Sequence, residues 1–365
     1  MLETLLTRFP AAVAFAPSFA SERGDHRPDW LARTAVVRWR GRRRHFLAPV
    51  YARRVARRPL EGAKVVLSVP HAGWSLAAAV PPGARHLCYS AGVPRALYEH
   101  AEEYLQDYPP LVRPALRAAL PALRAHNRRL VDRPHRILVN SAYSAARLSA
   151  HGIEAEVVHP PVRTSFFRPA PDVSKTHALT VSRLVSHKRL DAIVEAFRGL
   201  DETLVFAGTG PWESRLRAGA PPNVRFVGRV DDVQLRELYQ SATCFVSAAP
   251  EEFGIAMAEA QASGIPVVAP RDGGALEIVR DGDTGMLLDD VGPRSLAQAV
   301  KAVRRRAYDP GACRAAVERF AEESFLQRFE LILAEELSLA VDRQPRRASP
   351  RSARPDPQPE AAAPH

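Results

Sequence analysis

Short apolar runs alternate with helix-like stretches through the second half of this chain. The run 178–181 precedes a helical pattern, and the runs 203–207 and 224–227 do the same. Because this alternation is typical of a parallel sheet with helices on both faces, it predicts a doubly wound α/β unit. The remaining elements predicted here are strands at 244–247, 266–269 and 285–288, and helices at 189–198, 212–217, 233–241 and 293–306.

The first half shows the same alternation less regularly. It begins with an amphipathic segment at 2–9 and a short strand at 11–15. Pro160 and Pro161 later fix an extended segment, which suits a link between two domains. The predicted strands are 64–69, 85–89, 136–139 and 155–158, and the predicted helices are 94–105, 111–131 and 142–151.

The length of 365 residues fits about two domains. We expect a first α/β domain over 1–160 and a second over 161–309. A helical pattern over 310–341 is expected to pack back on the fold, and the Arg- and Pro-rich tail 342–365 to be disordered, since it offers little to bury.

The net charge of +11 is concentrated in the tail and in the Arg-dense segment 33–58. Solvated surface is the simpler interpretation, and contact with an anionic membrane surface is the sharper alternative. Nucleic acid is not an expected partner, because the aromatic content of 7% supplies no stacking platform within the basic segment. Without a signal peptide or a run of about 18 apolar residues, the expected location is the cytoplasm, with the inner membrane face as an alternative.

The cysteine pattern gives no sign of a disulfide framework or a zinc site. Cys88, Cys244 and Cys313 are three in number and lie far apart in the chain. Reduced thiols within strands or helices are therefore expected.

The stretch 250–270 carries the clearest chemistry. It reads as an acidic loop, a helix that opens near Phe253 and stops at Gly264, and a short buried strand. Glu251 and Glu259 lie eight residues apart, one at the helix mouth and the other about two turns in. Free backbone N–H groups at such a helix start favour an anion, so this is a candidate phosphate site.

Two cations follow the first strand of the second half. Arg183 and Lys188 lie five residues apart across a turn into a helix, where they could clamp a diphosphate. Taken alone, such a pair is more often a solvated turn, and Gly208 with Gly210 after the next strand is more often a tight turn. Because ligands of open α/β sheets bind beyond the carboxyl ends of the strands, all these residues are expected at one edge.

Residues from about 175 to 288 resemble the C-terminal domain of retaining glycosyltransferases of the GT-B fold, family 4. The matching features are Arg183 with Lys188, Gly208-x-Gly210-Pro211, Gly228-Arg229-Val230, Glu251-x7-Glu259, and Gly273-Gly274-x2-Glu277. The first half is similar to the bacterial mannosyltransferase-like branch, through 80–89, Arg95 with Tyr98, Asn140-Ser141 and His159-Pro160-Pro161.

This resemblance implies two Rossmann-like domains facing across a cleft, and a retaining transfer of a hexose, with mannose favoured, from a nucleoside diphosphate sugar. The donor would be GDP-mannose or a UDP-sugar, the acceptor a hydroxyl of a glycan or lipid-linked molecule, and no metal or further cofactor is expected. The implied catalytic residues are Arg183, Lys188 and Glu251. The implied donor-binding residues are Gly208, Gly210, Val230, Phe253, Gly254, Ile255, Ala256 and Glu259. His71 and Arg95 are candidates for the acceptor or sugar side.

Several positions depart from the family pattern. Ser182, Arg189 and Glu252 stand where glycine is usual, and Ala91 replaces a histidine expected near the sugar. The family's first strand and Gly-Gly loop are also missing before Met1, which predicts a natural start about 20 residues upstream or a truncated relative. These departures support an alternative function, a catalytically weak relative that acts as a binding or assembly partner in glycan synthesis. A nicotinamide-dependent oxidoreductase is disfavoured, because no strand leads into Gly-x-Gly-x-x-Gly.

Overall fold

A computed structural model of the chain describes residues 1–12, 14–16, 34–36, 60, 62–69, 74–90, 92, 97–98, 101–106 and 108–342. Two large parallel sheets organise the described residues, and a separate parallel ladder joins β1 (Ala14–Ala16) to β2 (Thr34–Val36). The fold class predicted from the sequence is confirmed. The predicted tail and most of the Arg-dense segment 33–58 lie outside the described residues.

The first sheet has four parallel strands in sequential order. They are β3 (Val65–Ser68), β4 (Arg85–Ser90), β5 (Arg136–Val139) and β6 (Glu156–Val157). All six residues of β4 are buried, as expected of a strand covered on both faces. The helices described in this half are α1 (Leu2–Arg8), α2 (Ala101–Gln106), α3 (Arg113–Val131) and α4 (Ala142–Ser149), with short 3-10 helices at Trp74–Ala77 and Pro110–Val112.

The second sheet has six parallel strands. They are β7 (His177–Val181), β8 (Leu204–Ala207), β9 (Val224–Gly228), β10 (Ala242–Val246), β11 (Val267–Pro270) and β12 (Gly285–Leu288). Their order across the sheet is β12-β11-β10-β7-β8-β9. This is the doubly wound arrangement of dinucleotide-binding folds, whose direction of winding reverses between the first and fourth strands, here β7 and β10.

The helices of the second half alternate with these strands and cover both faces. Two of them begin at side chains that accept from N–H groups of the first turn: Asp231 and Gln234 form a reciprocal capping box, and Asp309 accepts from Gly311 and Ala312. The helices are α5 (Leu190–Phe197), α6 (Glu213–Gly219), α7 (Asp232–Gln240), α8 (Ile255–Ala262), α9 (Ala275–Ile278), α10 (Pro293–Arg305), α11 (Pro310–Val317) and α12 (Glu322–Asp342).

The end of the described chain returns to the first sheet. After α11 and a 3-10 turn at Glu318–Phe320, helix α12 contacts β3 and β4. Phe325, Phe329 and Ile332 of this helix join a buried cluster with Leu87 and Leu138 of the first sheet. The last long helix therefore completes the core of the first half. The predicted domain limits at 160 and 309 stay predictions.

The three cysteines are free, as the sequence predicted, and all three are buried. They lie in β4, β10 and α11. Burial raises the pKa of each thiol to about 12, so all three are protonated and unreactive at neutral pH.

Candidate functional site

A cavity of about 520 Å³ opens where β7 and β10 lie side by side. Connections leave these two strands in opposite directions, so a crevice forms beyond their carboxyl ends. The second half lines it with the end of β7, the end of β10 and the start of α8. The first half and the connection between the sheets contribute Met1, Asn140, Pro160 and Pro161.

The loop after β7 brings two cations to this cavity. Arg183 is exposed, and its side chain forms no hydrogen bond or ion pair with the residues that the structure describes. Lys188 ends the 3-10 helix Ser186–Lys188 and is mostly buried. Its ammonium lies 2.5 Å from each carboxylate oxygen of Glu251.

The loop that carries Glu251 rests on two glycines from another turn. The N–H of Gly274 donates to the carbonyl of Glu251 at 2.8 Å. A Cβ at Gly273 would lie 2.6 Å from that same carbonyl, and one at Gly274 would lie 2.0 Å from the carbonyl of Phe253, so only glycine fits at either position. The Gly273–Gly274 pair therefore fixes the position of the loop that carries Glu251.

Helix α8 begins at Ile255, two residues later than the sequence suggested. Phe253 is instead buried, and its ring forms a T-shaped pair with Phe320, with ring centroids 5.1 Å apart. Gly254 takes the left-handed φ of 96°, which turns the chain into the helix. No backbone group of the described residues accepts from the N–H groups of Ile255 or Ala256, so both remain available to an anion in the cavity.

Gly208 and Gly210 hold two strand-end loops together. A Cβ on Gly208 would lie 2.0 Å from the carbonyl of Ser182, and one on Gly210 would lie 2.2 Å from the carbonyl of Leu184. Leu184 also donates its N–H to Thr209 at 3.1 Å. Neither glycine lines the cavity, and their close packing sets the position of the loop that carries Arg183.

Glu259 lies farther along α8, behind the cavity lining. The Tyr239 hydroxyl is 3.2 Å from its Oε2 and 3.1 Å from the carbonyl of Ala256. Burial raises the pKa of Glu259 to about 7, an effect that the Tyr239 hydrogen bond and the nearby charge of Arg163 partly offset. The carboxyl group is therefore shared between its neutral and charged forms at neutral pH.

The wall from the first half is built around the start of α4. Asn140 lines the cavity, and its Oδ1 accepts from the Ser144 hydroxyl at 2.8 Å. Glu277 of the second half contacts this helix start, with its Oε1 2.9 Å from the N–H of Ala142. Its Oε2 lies 2.7 Å from Nε2 of His159. In the sequence, Glu277 and Asn140 served only as marks of resemblance, and no local pattern predicted that Asn140 would line the cavity or that Glu277 would contact the wall from the first half.

The structure thus brings most of the predicted site residues together. Those that line the cavity are Arg183, Lys188, Glu251, Phe253, Gly254, Ile255 and Ala256. Those that do not line it are Gly208, Gly210, Val230 and Glu259. His71 and Arg95 lie outside the described residues. In the part of the chain that the structure describes, no group of three or more His, Cys, Asp or Glu side chains could hold a metal ion.

Comparison with protein families and curated proteins finds similarity to glycosyltransferases. Residues 162–313 match the family model "Glycosyl transferases group 1". A GDP-mannose-dependent alpha-mannosyltransferase of Corynebacterium glutamicum is 33% identical over 145 residues, which is 39% of this chain and 35% of that protein. A GDP-mannose-dependent alpha-(1-6)-phosphatidylinositol monomannoside mannosyltransferase of Mycobacterium tuberculosis is 32% identical over 213 residues, or 50% of this chain. The chain spans only 55% of that second relative.

Solved structures share the two-domain fold over most of the chain. HepE of Anabaena, in complex with UDP and glucose, has a TM-score of 0.63 at 17% identity. The matched region covers 82% of this chain and 86% of the HepE chain. Sucrose-phosphate synthase of Thermosynechococcus elongatus has a TM-score of 0.65 at 17% identity. The matched region covers 89% of this chain and 88% of the synthase chain. The GT-B fold expected from the sequence is therefore confirmed.

Proposed function

We propose that this chain is a glycosyltransferase that takes a hexose from a nucleoside diphosphate sugar and adds it to a hydroxyl of a glycan or lipid-linked acceptor. The cavity at the β7–β10 switch point carries the proposal, because two cations and the start of a helix converge there. A departing diphosphate needs this kind of preorganised positive environment. The similarity of residues 162–313 to glycosyl transferases group 1 supports the same assignment.

Arg183 and Lys188 are the proposed diphosphate ligands. Arg183 offers a planar fork of donors, and Lys188 offers a point charge. The N–H groups of Ile255 and Ala256 add neutral donors and the positive end of the helix dipole. In this assignment the protein itself supplies the positive charge, so transfer proceeds without a metal ion.

Glu251 and Glu259 are the proposed carboxylates for the rest of the donor. Glu251, beside Lys188, would accept hydrogen bonds from sugar hydroxyls near the reacting carbon. Glu259 would accept from the ribose hydroxyls, and the backbone around Val230 would flank the base. Mannose is the proposed sugar, since the two mannosyltransferases similar to this chain use GDP-mannose. The proposal also includes transfer with retention of anomeric configuration and membership of family 4. It further includes contact of the protein with the inner membrane face.

The test is sugar transfer by the purified full chain. GDP-mannose and UDP-glucose would be supplied separately with octyl α-mannoside, and both free nucleotide and glycosylated product measured. Arg183→Ala and Lys188→Ala should each lower kcat/KM by about a hundredfold or more, since each removes a donor aimed at the leaving group. Arg198→Ala, which removes an exposed cation paired with Glu195 on the outer surface, should leave turnover unchanged.

Several outcomes separate the proposal from its alternatives. Proton NMR of the product would show an α-linkage if configuration is retained. Nucleotide binding without transfer or donor hydrolysis would instead favour the catalytically weak binding partner. Full activity in both the Arg183→Ala and Lys188→Ala chains would contradict the assigned roles.

A further inference from the structure

Helix α4 of the first half is capped by a residue of the second half. Ser141 caps the helix locally, since its hydroxyl accepts from the N–H of Ser144 at 3.0 Å. Ala145 donates to the Ser141 carbonyl at 3.0 Å, and the N–H groups of Ala142 and Tyr143 come before this first helical bond. Glu277 supplies one oxygen to both, at 2.9 and 3.4 Å.

The second oxygen of Glu277 binds the connection between the two sheets. It lies 2.7 Å from Nε2 of His159, directly before Pro160 and Pro161. The His159 ring packs against Phe320 and Phe253, with centroids 4.7 and 5.9 Å away. One carboxylate therefore joins a helix start of the first half to the segment that links the halves.

The surrounding bonds lower the pKa of Glu277 and keep it ionised at neutral pH. Burial alone would raise this pKa, but the hydrogen bonds from His159 and from the N–H of Ala142 outweigh it. An anion at a helix start is also stabilised by the helix dipole. The contact between the halves is thus charge-assisted.

Glu277 is connected to both walls of the cavity. On its own side, α9 begins directly after Gly273 and Gly274, which support the loop of Glu251. On the other side, the helix that it caps begins at Ala142, two residues after Asn140, and Asn140 lines the cavity. A change at Glu277 would therefore alter the distance between the two walls.

We propose that Glu277 is a positioning residue that fixes the acidic loop of Glu251 at a set distance from Asn140. It holds the halves together at the linker end of the cavity and does not touch the donor. The inference rests on the proposed function only in treating this cavity as the donor site. By holding the two walls in place beforehand, Glu277 lowers the free energy that donor binding must spend on aligning them.

The first experiment measures the contact itself, without any substrate. Amide hydrogen exchange of Ala142 and Tyr143 would be compared in the wild-type chain, Glu277→Ala, Glu277→Gln and Glu195→Ala. Loss of a helix cap should accelerate exchange at both amides about five- to tenfold in Glu277→Ala. The amide oxygen of Glu277→Gln can still accept, so it should restore most of the protection. Glu195→Ala removes an exposed carboxylate of the same half and should change neither amide.

The second experiment measures the consequence for the donor. Glu277→Ala should raise the donor KM about five- to tenfold and change kcat less than twofold, because bound donor completes the alignment that Glu277 otherwise provides. Small-angle scattering of the donor-free chain should show a wider spread of distances between the halves. If Glu277→Ala does not fold, Glu277→Asp, which keeps the charge but loses reach, should show the same exchange and KM changes.

Unchanged exchange at Ala142 and Tyr143 in a folded variant would overturn the inference. An equal change in Glu195→Ala, or a fall in kcat with constant KM, would overturn it as well. Absence of sugar transfer by the wild-type chain would refute the proposed function alone. The exchange and scattering results would still decide whether Glu277 fixes the two walls.

Discussion

Lys188 and Glu251 neutralise each other in the proposed site. Their side chains are 17% and 25% exposed, and both carboxylate oxygens lie 2.5 Å from the ammonium. A diphosphate that binds Lys188 must therefore replace Glu251 as its partner. In the proposed function, Glu251 would keep the cation in place before the donor arrives, and it would become free to accept from sugar hydroxyls once the phosphates bind Lys188. The sequence placed both residues at one sheet edge, yet nothing in their spacing indicated that they pair.

This pairing predicts a gain of affinity on removal of the carboxylate charge. Glu251→Gln should bind GDP and UDP, which lack the sugar, about five times more tightly, because a partly exposed ion pair is worth about 1 kcal/mol and no longer competes. Isothermal titration calorimetry at constant ionic strength measures this change.

Glu252→Gln is the matched control for Glu251→Gln, since it removes one negative charge from the same loop. It should raise the affinity for the two nucleotides much less, because Glu252 lies outside the Lys188–Glu251 ion pair and salt screens its longer-range effect on the phosphates. Equal gains in both variants would show that overall charge, and not the Lys188 pair, governs binding.

At the scale of elements, alternation of apolar runs was enough to place the strands of the second sheet to within about two residues. The helical pattern over 310–341 did not indicate where the break between α11 and α12 falls, which is near Ala321. There Val162 donates to the Phe320 carbonyl at 2.8 Å, and Phe320 is buried beneath Phe253. This break depends on a residue far away in the chain, so local periodicity could not reveal it.

Arg189 shows a second element boundary with a physical cost. It joins the 3-10 helix of Lys188 to α5 with φ 51° and ψ 37°, the left-handed region, and it is the only described residue other than glycine with a positive φ. The sequence had marked this position as one where the resembling family uses glycine. The structure supplies the reason, because a Cβ is strained in this conformation.

Arg189→Gly should therefore stabilise the chain by about 0.5–1 kcal/mol, the relief of left-handed strain less the entropy that glycine adds to the unfolded state. Urea unfolding followed by circular dichroism would show a higher midpoint. Arg189→Ala removes the same exposed side chain and keeps the Cβ, so its midpoint should not rise. An equal rise in both variants would attribute the effect to the lost charge.

Across the whole molecule, the contacts that join the halves were the least predictable from sequence. Glu277 reaches α4 and His159 only because two sheets meet at this point, and neither contact leaves a local pattern. The return of the last helix was expected as packing on the fold, but its partner could not be identified. Among the described residues, no helix is both long and apolar enough to cross a membrane, and α12 instead covers the first sheet.

Helix α12 is fastened to that sheet by a buried ion pair as well as by aromatic packing. Arg85 Nε lies 2.6 Å from Glu336 Oε2, and the two side chains are only 10% and 3% exposed. Because Arg85 belongs to β4 and Glu336 to the last helix, the first half gains its full core only when the end of the chain has docked. The two halves are thus coupled in folding as well as across the cavity.

Glu336→Ala should cost about 3–5 kcal/mol of the free energy of unfolding, because it leaves the Arg85 charge buried without the Glu336 carboxylate. Urea unfolding would measure the loss, and amide exchange should show β4 opening before β7 and β10. Glu335→Ala is the matched control on the same helix: its side chain is 56% exposed in the pair with Arg136, so it should cost less than about 1 kcal/mol. Equal losses of unfolding free energy in the two variants would contradict this prediction. Equal acceleration of amide exchange in both sheets would contradict it too, because the buried pair would then not be what attaches α12 to the first sheet.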